Sequence, residues 1–557
     1  MQDLLPRRFR WADLTPALMT VAAMVTGAVI HIFFMVPYAA QAGYDEGYEA
    51  AAVERIISGH WLPYVDAVSQ RGPFLYWTQA IFHLISGRYQ WTGTRLLSLV
   101  AFLVTTAATF LTGWGAGWPL AGAIGALTYA LVLATIYDPG GGIGVHGEPV
   151  AIAYLMVAMA IVAYALYRTP AGRRRTILLA TGGVLVGVAG MTKQTLAVAC
   201  GPMFIWIFAR IGGVSTPEAP DAPLPLRAAF RQGVLPFALG GLGVLTLLLA
   251  IYALAGHLGT FFYWSVTFNA QVYMEPFKGR VFDLTTNWFL DQPWGLVGIA
   301  IALVIALGRP ASFVERLSVR GILAGLRSGG FEMTVGLTAV AFLITGVTPL
   351  RLWPHYFVPI FPLIGLTLGV AIERLVHRGG TVSWPAQVVV GLPIVLILLA
   401  SGVHQWKSLD RQRHGGKWPD PRPDPACVEI NRIAGTERQP VFMWGLLGDL
   451  YITCRRPSAS KFTYTTVVAG VVPPFWDDPR DSRVPPGVRE TLIKELTKGA
   501  PPVLMDNPID VRGSMMDVPV LASFVRERYC EASTITDRQG RSIIFFARRD
   551  LPACQGR

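Results

Sequence analysis

Long apolar stretches recur along the first 402 residues and constrain the fold more than any other feature of the sequence. A helix that crosses a bilayer needs about 20 mostly apolar residues, and about 11 such stretches can be counted. They lie near residues 17–38, 95–113, 118–137, 148–167, 176–193, 195–210, 233–256, 291–308, 332–349, 355–372 and 385–402. Of the 557 residues, 52% are hydrophobic and 15% charged, an imbalance that a water-soluble chain could not bury. The sequence therefore predicts an α-helical polytopic membrane protein.

The excess of basic residues, a net charge of +12, is concentrated in short loops between the predicted spans. With about 11 spans these loops lie on one side of the membrane, and the positive-inside rule makes that side cytoplasmic. Because topology accounts for the charge, nucleic acid is not an expected partner. The arginines concerned are Arg7, Arg8, Arg10, Arg168, Arg173, Arg174, Arg175, Arg309, Arg316, Arg320, Arg327, Arg374 and Arg378.

The tail after residue 402 is less hydrophobic and begins near a proline-rich linker, KWPDPRPDP. We predict a transmembrane domain over 1–402, with its first outer loop at 39–94, and a soluble extracytoplasmic α/β domain over 403–557. In the tail, PVFMW and PVLMD are typical of short buried strands, RETLIKELTKG of a helix, and TITDRQGRSIIFFARR of two strands around a turn.

Four of the five cysteines lie in this tail: Cys427, Cys454, Cys530 and Cys554. An even number in an extracytoplasmic domain is compatible with two disulfides, and the sequence leaves three pairings open. Four buried thiols are the alternative.

The first outer loop places Asp45 and Glu46 a few residues beyond a hydrophobic span. Carboxylates at that depth cost free energy unless they are paired or used. Asp45 could instead cap a helix, with Glu46 interacting favourably with the helix dipole. Composition alone supports the capping role and the catalytic role equally.

The residues that follow predict a helix lying in the membrane interface. Ala50, Val53 and Ile57 recur at helical spacing, while Glu49 lies elsewhere around the axis. Trp61 and Tyr64 are the expected aromatic anchors of this region.

Further charged and polar residues lie at the outer ends of the predicted spans. Taken singly, each basic residue among them is typical of an interfacial anchor. Together, the cations could hold a membrane-embedded phosphate while a carboxylate removes a proton. The basic members are Arg71, Lys193, Arg351 and His355, next to Tyr356; His146 and Glu148 lie in the loop GGGIGVHGEP. No Cys/His metal-ligand spacing and no phosphate-binding glycine loop is present.

Four phrases resemble, in order, those of the bacterial C-type glycosyltransferases related to protein O-mannosyltransferases and to the aminoarabinose transferase that modifies lipid A. They are YDEGYEAAAVERIISGHWLPYVDAVSQRGPFLYW, GEPVAIAYLMVAMAIVAY, GMTKQT and RLWPHYFVPIFPLIGL. The sequence departs from the family at Gln70-Arg71-Gly72-Pro73, where relatives often carry Glu-Lys-Pro-Pro.

The resemblance implies a C-type glycosyltransferase fold and transfer of a monosaccharide from a polyprenyl-phosphate donor to a hydroxyl of a lipid or glycan acceptor. It places the reaction on the outer face of a bacterial inner membrane, with a cytoplasmic N-terminus and the lipid bilayer as a further partner. No cofactor is required by the sequence, and a divalent cation is conceivable between the carboxylates.

The expected roles follow from the chemistry of this transfer. Asp45 is the candidate general base of an inverting displacement, supported by Glu46 and Glu148. The donor phosphate is assigned to Arg71, Lys193, Arg351, His355 and Tyr356, and the acceptor or sugar pocket to Tyr44, Asp66, Gln70 and His146.

A transporter or flippase of lipid-linked sugars is the main alternative, because charges buried in bundles also mark transport paths. No inverted repeat is detected, and the charges cluster at one face rather than at the midplane. Both features favour the transferase.

Overall fold

The computed structural model describes residues 11–35, 44–136, 147–212, 224–273, 330–347, 354–377, 423–471, 480–507, 513–537 and 540–555. Up to residue 377 the described chain is helical. Its helices are α1 Trp11–Met35, α2 Tyr44–Ser58, α3 Pro73–Ser86, α4 Trp91–Ala116, α5 Pro119–Ile136, α6 Gly147–Tyr167, α7 Arg173–Thr192, α8 Cys200–Gly212, α9 Leu226–Leu254, α10 Leu258–Phe262, α11 Phe331–Val347 and α12 Ile360–His377.

Five helical segments within the described ranges are long and apolar enough to cross a membrane: α4, α6, α7, α9 and Gln194–Gly212, which contains α8. Shorter apolar helical stretches lie at Thr15–Val29, Pro119–Ala130, Phe331–Gly346 and Ile360–Val370. These nine segments coincide in position with nine of the predicted spans; those at 291–308 and 385–402 lie outside the described residues. The chain is a multi-pass membrane protein, and the total of 11 spans stays a prediction.

Small residues let the long helices approach each other closely. A methyl group on Gly183 of α7 would lie 1.9 Å from the carbonyl oxygen of Phe237 in α9, and one on Gly240 would lie 2.1 Å from that of Ala180. Lipid tails are as apolar as the helix surfaces, so the hydrophobic effect does not hold helices together in a bilayer. Glycines allow the backbones to approach closely, and van der Waals packing then stabilises the contact.

The region from residue 423 onward contains helices and one four-stranded sheet. Strands β1 Phe442–Trp444, β2 Val503–Asp506, β3 Tyr529–Thr536 and β4 Ser542–Arg548 lie in the order β1-β2-β4-β3. The β1–β2 pair is parallel, and β4 runs antiparallel to β2 and β3. The helices are α13 Pro425–Ala434, α14 Gly448–Thr453, α15 Thr466–Ala469, α16 Val488–Gly499 and α17 Pro519–Arg528. The predicted boundary at 402/403 lies outside the described residues.

The four tail cysteines form two disulfides, Cys427–Cys454 and Cys530–Cys554. The structure thus selects one of the three possible pairings. The first bridge joins α13 to the residue after α14, and the second joins β3 to the chain beyond β4.

The C-terminal region packs directly on α2. Gly47 of α2 faces the backbone of α14 so closely that a methyl group would lie 2.4 Å from the amide nitrogen of Asp449. The N–H of Val68 donates to the carbonyl oxygen of Lys461 over 2.9 Å, and Arg55 donates to that of Ser458 over 2.8 Å. These contacts bring residues beyond 440 to the first loop.

Candidate functional site

A pocket with about 310 Å³ of empty volume lies between α2, the loop before α3 and the C-terminal region. Most of its walls come from the predicted outer loop at 39–94, and one wall comes from residues 463 and 464. Its lining consists of Asp45, Tyr48, Glu49, Ala52, Val68, Ser69, Gln70, Arg71, Tyr76, Thr463 and Tyr464.

Arg71 and two carboxylates of α2 form the charged group of this pocket. Asp45 and Glu49 are four residues apart and therefore share a helix face. Nη2 of Arg71 lies 2.7 Å from Oδ2 of Asp45, and Nη1 contacts Oε1 of Glu49. The Asp45 side chain is 37% exposed and that of Glu49 only 3%, so Asp45 is the partner that a ligand can reach.

Backbone contacts hold the loop that carries Arg71. The hydroxyl of Tyr64 donates to the carbonyl oxygen of Arg71 over 2.7 Å, and the N–H of Gly72 donates to that of Thr192 over 3.3 Å. A methyl group on Gly72 would lie 1.9 Å from the carbonyl oxygen of Met191, so this approach to α7 requires glycine. The loop also holds Trp61 and Tyr64 at φ values of 63° and 70°, which non-glycine residues rarely adopt.

Tyr76 of α3 is a further polar residue of the pocket, and its hydroxyl contacts that of Ser69. Burial raises the pKa of Tyr76 to about 12. The phenol therefore keeps its proton at neutral pH and is a donor, not a base.

The helix predicted after Asp45 is present as α2, and its position relative to the membrane interface stays a prediction. α2 begins at Tyr44, so Asp45 lies in its first turn, and Glu49 and Glu54 are buried along with the apolar residues. Tyr64 is not an interfacial anchor, because it is fully buried against Tyr252 and Phe261, whereas Trp61 is 41% exposed.

Two other acidic residues of α2 have partners outside the pocket. Oε1 of Glu46 lies 2.5 Å from Nη1 of Arg95 in α4. Burial alone would raise the pKa of Glu54, but hydrogen bonds from His83, the N–H of Tyr89 and Arg88 lower it. Glu46 and Glu54 thus tie α2 to the segments that follow it.

A second charged group lies beside the pocket. Nζ of Lys193 is 2.6 Å from Oε1 of Glu148 and 5.0 Å from the ring centre of Tyr356, which packs edge-on against His355. A methyl group on Gly147 would lie 3.6 Å from Cδ of Lys193 and 3.7 Å from Cδ2 of Leu75 in α3, so both side chains pack next to this glycine.

The remaining predicted site residues are placed as follows. Gln70 lines the pocket, and its carbonyl oxygen accepts a hydrogen bond of 3.1 Å from Asn269. Asp66 accepts hydrogen bonds from the N–H groups of His60 and Leu62 and is not among the pocket-lining residues. Arg351 and His146 lie outside the described residues, as does the side chain of Tyr44.

The sequence does not single out Glu49, Thr463 and Tyr464, which also line the pocket. The spacing of four residues between Asp45 and Glu49 was a usable signal, because it places both on one helix face. No local signal marks the other two, since their proximity arises from packing of residues about 400 positions apart. Among the described residues, no group of three His, Cys, Asp or Glu side chains could hold a metal ion. A divalent cation therefore stays a prediction.

No protein-family model and no curated protein matches the chain. Solved structures do. ArnT from Cupriavidus metallidurans in the apo state is similar, with a TM-score of 0.51 and 16% identity over 94% of this chain and 97% of that one. The same protein bound to undecaprenyl phosphate gives 0.50 and 15% over the same shares.

The Archaeoglobus fulgidus oligosaccharyltransferase in the apo form gives a TM-score of 0.51 and 13% identity, covering 97% of this chain and 75% of that one. Structural similarity over nearly the whole chain at such low sequence identity shows a shared fold alone. The chain therefore has the C-type glycosyltransferase fold that these proteins share.

Proposed function

We propose that this protein is a membrane glycosyltransferase that moves a monosaccharide from a polyprenyl-phosphate donor to an acceptor hydroxyl on the outer face of the inner membrane. The observation that carries the proposal is the pairing of Asp45 with Arg71 in a pocket next to the predicted spans. A base and a phosphate-binding cation in contact are the two groups that this transfer needs. The shared fold with ArnT, one structure of which contains undecaprenyl phosphate, supports the donor class.

The reaction is a single displacement that inverts C1 of the sugar. The acceptor oxygen forms a bond to C1 while the bond from C1 to the phosphate oxygen breaks. The electron pair leaves with the lipid phosphate, and the acceptor proton goes to Asp45. A phosphate is already a weak base, so cations that stabilise its charge matter more than a general acid.

The two carboxylates on Arg71 suggest how donor binding prepares the base. The trio carries one negative charge in excess, since Arg71 offers one positive charge to Asp45 and Glu49. A phosphate that approaches Arg71 displaces the exposed partner, Asp45, while the buried Glu49 stays in place. Asp45 then accepts the proton of the acceptor hydroxyl.

Lys193 is the second cation for the donor phosphate, with Tyr356 and His355 beside it. Arg351, which lies outside the described residues, is a further proposed ligand of this phosphate. Glu46 and Glu148 are supports that position Arg95 and Lys193 rather than proton carriers, because both are buried in their ion pairs whereas Asp45 is 37% exposed. Tyr44, Asp66, Gln70 and His146 remain proposed contributors to the acceptor or sugar pocket.

The first test compares lipids and surface glycans by mass spectrometry in cells with and without the gene. Loss of one sugar residue names the product, and Asp45→Asn should fail to restore it although the variant is made and folds. A positioned base typically contributes about 100- to 10,000-fold, so the residual rate should fall by that much. Near-normal transfer by Asp45→Asn would remove Asp45 from this role.

A second test separates the donor phosphate from the base. Arg71→Ala should weaken binding of undecaprenyl phosphate to the purified protein, whereas Arg526→Ala, at an exposed position of α17, should not. Unchanged affinity of Arg71→Ala would count against the phosphate contact. Uptake of a labelled lipid-linked sugar into sealed vesicles without any glycosylated product would indicate a transporter instead.

A further inference from the structure

One wall of the pocket comes from the C-terminal region and has no role in the proton transfer described above. It consists of Thr463 and Tyr464. Thr463 is 2% exposed, and its hydroxyl has no hydrogen-bond partner among the described residues. The ring of Tyr464 packs edge-on against that of Tyr48, with the centres 4.5 Å apart.

We propose that this wall is the subsite for the monosaccharide of the donor. The Thr463 hydroxyl hydrogen-bonds a sugar hydroxyl, and Tyr464 and Tyr48 pack against the apolar face of the sugar ring. The inference rests on the proposed function, because it takes the donor phosphate to lie at Arg71 in the same pocket.

Arg71 and Thr463 line the same pocket. A phosphate at Arg71 leaves its attached sugar within the same enclosure, where Thr463 forms part of the buried lining.

Asp45 and Thr463 differ in solvent exposure, and this difference assigns the acceptor and the donor sugar to different parts of the pocket. Asp45 is 37% exposed, so a hydroxyl from outside can reach it, whereas Thr463 is buried. The acceptor therefore enters beside Asp45, and the sugar that is already tethered to the lipid occupies the inner wall.

An unpartnered buried hydroxyl destabilises a folded protein, because the group has lost its water and gained no partner. A sugar hydroxyl that reaches Thr463 removes this cost. Thr466 offers a matched comparison: it is fully buried, its hydroxyl likewise lacks a hydrogen-bond partner among the described residues, and it does not line the pocket.

The experiment measures binding to the purified full chain in nanodiscs. The probes are undecaprenyl phosphate and undecaprenyl phosphate linked to single sugars: glucose, mannose, N-acetylglucosamine or arabinose. Each is titrated against the wild type, Thr463→Val, Thr463→Ser and Thr466→Val. Thermal unfolding of each variant is measured in parallel, and both valine variants should be at least as stable as the wild type, since valine removes an unsatisfied hydroxyl.

We expect the wild type to bind at least one sugar-linked lipid more tightly than undecaprenyl phosphate. Thr463→Val should reduce that affinity by about fivefold to tenfold, the value of one hydrogen bond, and leave the affinity for undecaprenyl phosphate within about twofold. Thr463→Ser should keep most of the preference, and Thr466→Val all of it.

The inference is overturned if Thr463→Val keeps the sugar preference, if Thr466→Val loses it equally, or if the wild type binds the bare lipid without preferring any sugar. Absence of binding to every polyprenyl phosphate overturns the proposed function and this inference with it. The two failures are therefore distinguishable.

Discussion

The guanidinium of Arg71 carries one positive charge and contacts two carboxylates, those of Asp45 and Glu49. A single substitution among these residues therefore changes the net charge of the pocket. Glu49→Gln removes one negative charge and keeps the side-chain shape. Arg71 should then bind the donor phosphate more strongly and also retain Asp45 more strongly. Ion pairs that are partly open to solvent are typically worth about 1 kcal/mol or less, so changes of up to about fivefold are expected.

The variant Glu49→Gln should therefore lower both KM for the donor and kcat, and move the acidic limb of the kcat–pH profile to lower pH. Steady-state kinetics across pH 5–9 check this. Glu54→Gln removes a buried carboxylate of the same helix away from the pocket and should lower stability without moving that limb. A Glu49→Gln profile that coincides with the wild type would exclude electrostatic control of Asp45 by this residue.

Asp506, at the end of β2, carries a pH dependence of stability. Burial raises its pKa from 3.8 to about 6, against hydrogen bonds from Ser514 and the N–H of Met515 that lower it. A raised pKa means that the folded state holds the proton more tightly, so the contribution to stability is complete below pH 4 and is lost as the pH rises through 6.

Asp506→Asn should consequently stabilise the protein more at pH 8 than at pH 5, by on the order of 1 kcal/mol. Thermal unfolding at the two pH values measures the difference. Asp550→Asn, at an exposed residue whose pKa Arg548 lowers, is the control and should show no such gain. An Asp506→Asn effect independent of pH would mean that the carboxyl does not titrate in this range.

At the residue scale, the sequence points to Asp45, Gln70 and Arg71 because polar chemistry and chain position coincide in one predicted outer loop. All three line the pocket, and their roles stay proposals. Glu49 is not singled out, because the apolar spacing of α2 predicts one buried face. The C-terminal region buries the other face too, and a pattern within the helix carries no record of that neighbour.

At the scale of elements, the loop before α3 depends on its contact with α7. Gly72 has φ −67° and ψ 150°, which any residue can adopt, so only space requires glycine there. Gly72→Ala places a methyl group 1.9 Å from the Met191 carbonyl oxygen, and the loop with Arg71 must move away. We expect at least about a tenfold loss of transfer, since displacements near 1 Å cost about 100-fold in other enzymes.

Gly243→Ala in α9 is the matched control, because a methyl group there meets no atom within 4 Å. It should leave transfer unchanged and add slightly to helix stability, as alanine is the better helix former. Transfer assays and thermal unfolding of both variants test the comparison. Normal transfer by Gly72→Ala would show that Arg71 does not need this loop position.

Elements differ in how visible they are in the sequence. Helices α4, α6 and α9 follow from apolar runs long enough to cross a bilayer. α3 is only 14 residues long, with buried residues such as Gln79 and His83 among apolar ones, so composition does not mark it as a span. Strands β1 and β2, with 3 and 4 residues, lie in the predicted strand segments PVFMW and PVLMD, but the sequence does not give the order in which they pair with β4 and β3.

At the scale of the whole molecule, the pocket depends on contact between parts of the chain about 400 residues apart. Gly47 and Gly448 face each other where α2 meets α14, and Tyr48 approaches Gly445 nearby. Close contacts between glycines produce no periodic pattern of hydrophobic residues, so the sequence does not predict this interface. A buried ion pair supports it, because Arg541, the residue before β4, donates to Asp449 over 2.9 and 3.0 Å.

Gly47→Ala should separate the two parts. Its methyl group would lie 2.4 Å from the amide nitrogen of Asp449, a backbone atom that cannot turn aside as a side chain can. The C-terminal region must shift, and the bond from the Val68 N–H to the Lys461 carbonyl oxygen should open more often. Hydrogen exchange at Val68 should then accelerate at least about tenfold, and Thr463 and Tyr464 should leave the pocket.

The same variant should lose preference for a sugar-linked lipid over undecaprenyl phosphate while it still binds the bare lipid, because Arg71 and Lys193 belong to the helical region and not to the C-terminal region. Gly243→Ala again serves as the control for an added methyl group. Faster exchange at Val68 with an unchanged sugar preference would mean that the C-terminal region packs on α2 without shaping the pocket. Unchanged exchange would mean that α14 tolerates the methyl group, and the interface would then be looser than its glycine contacts indicate.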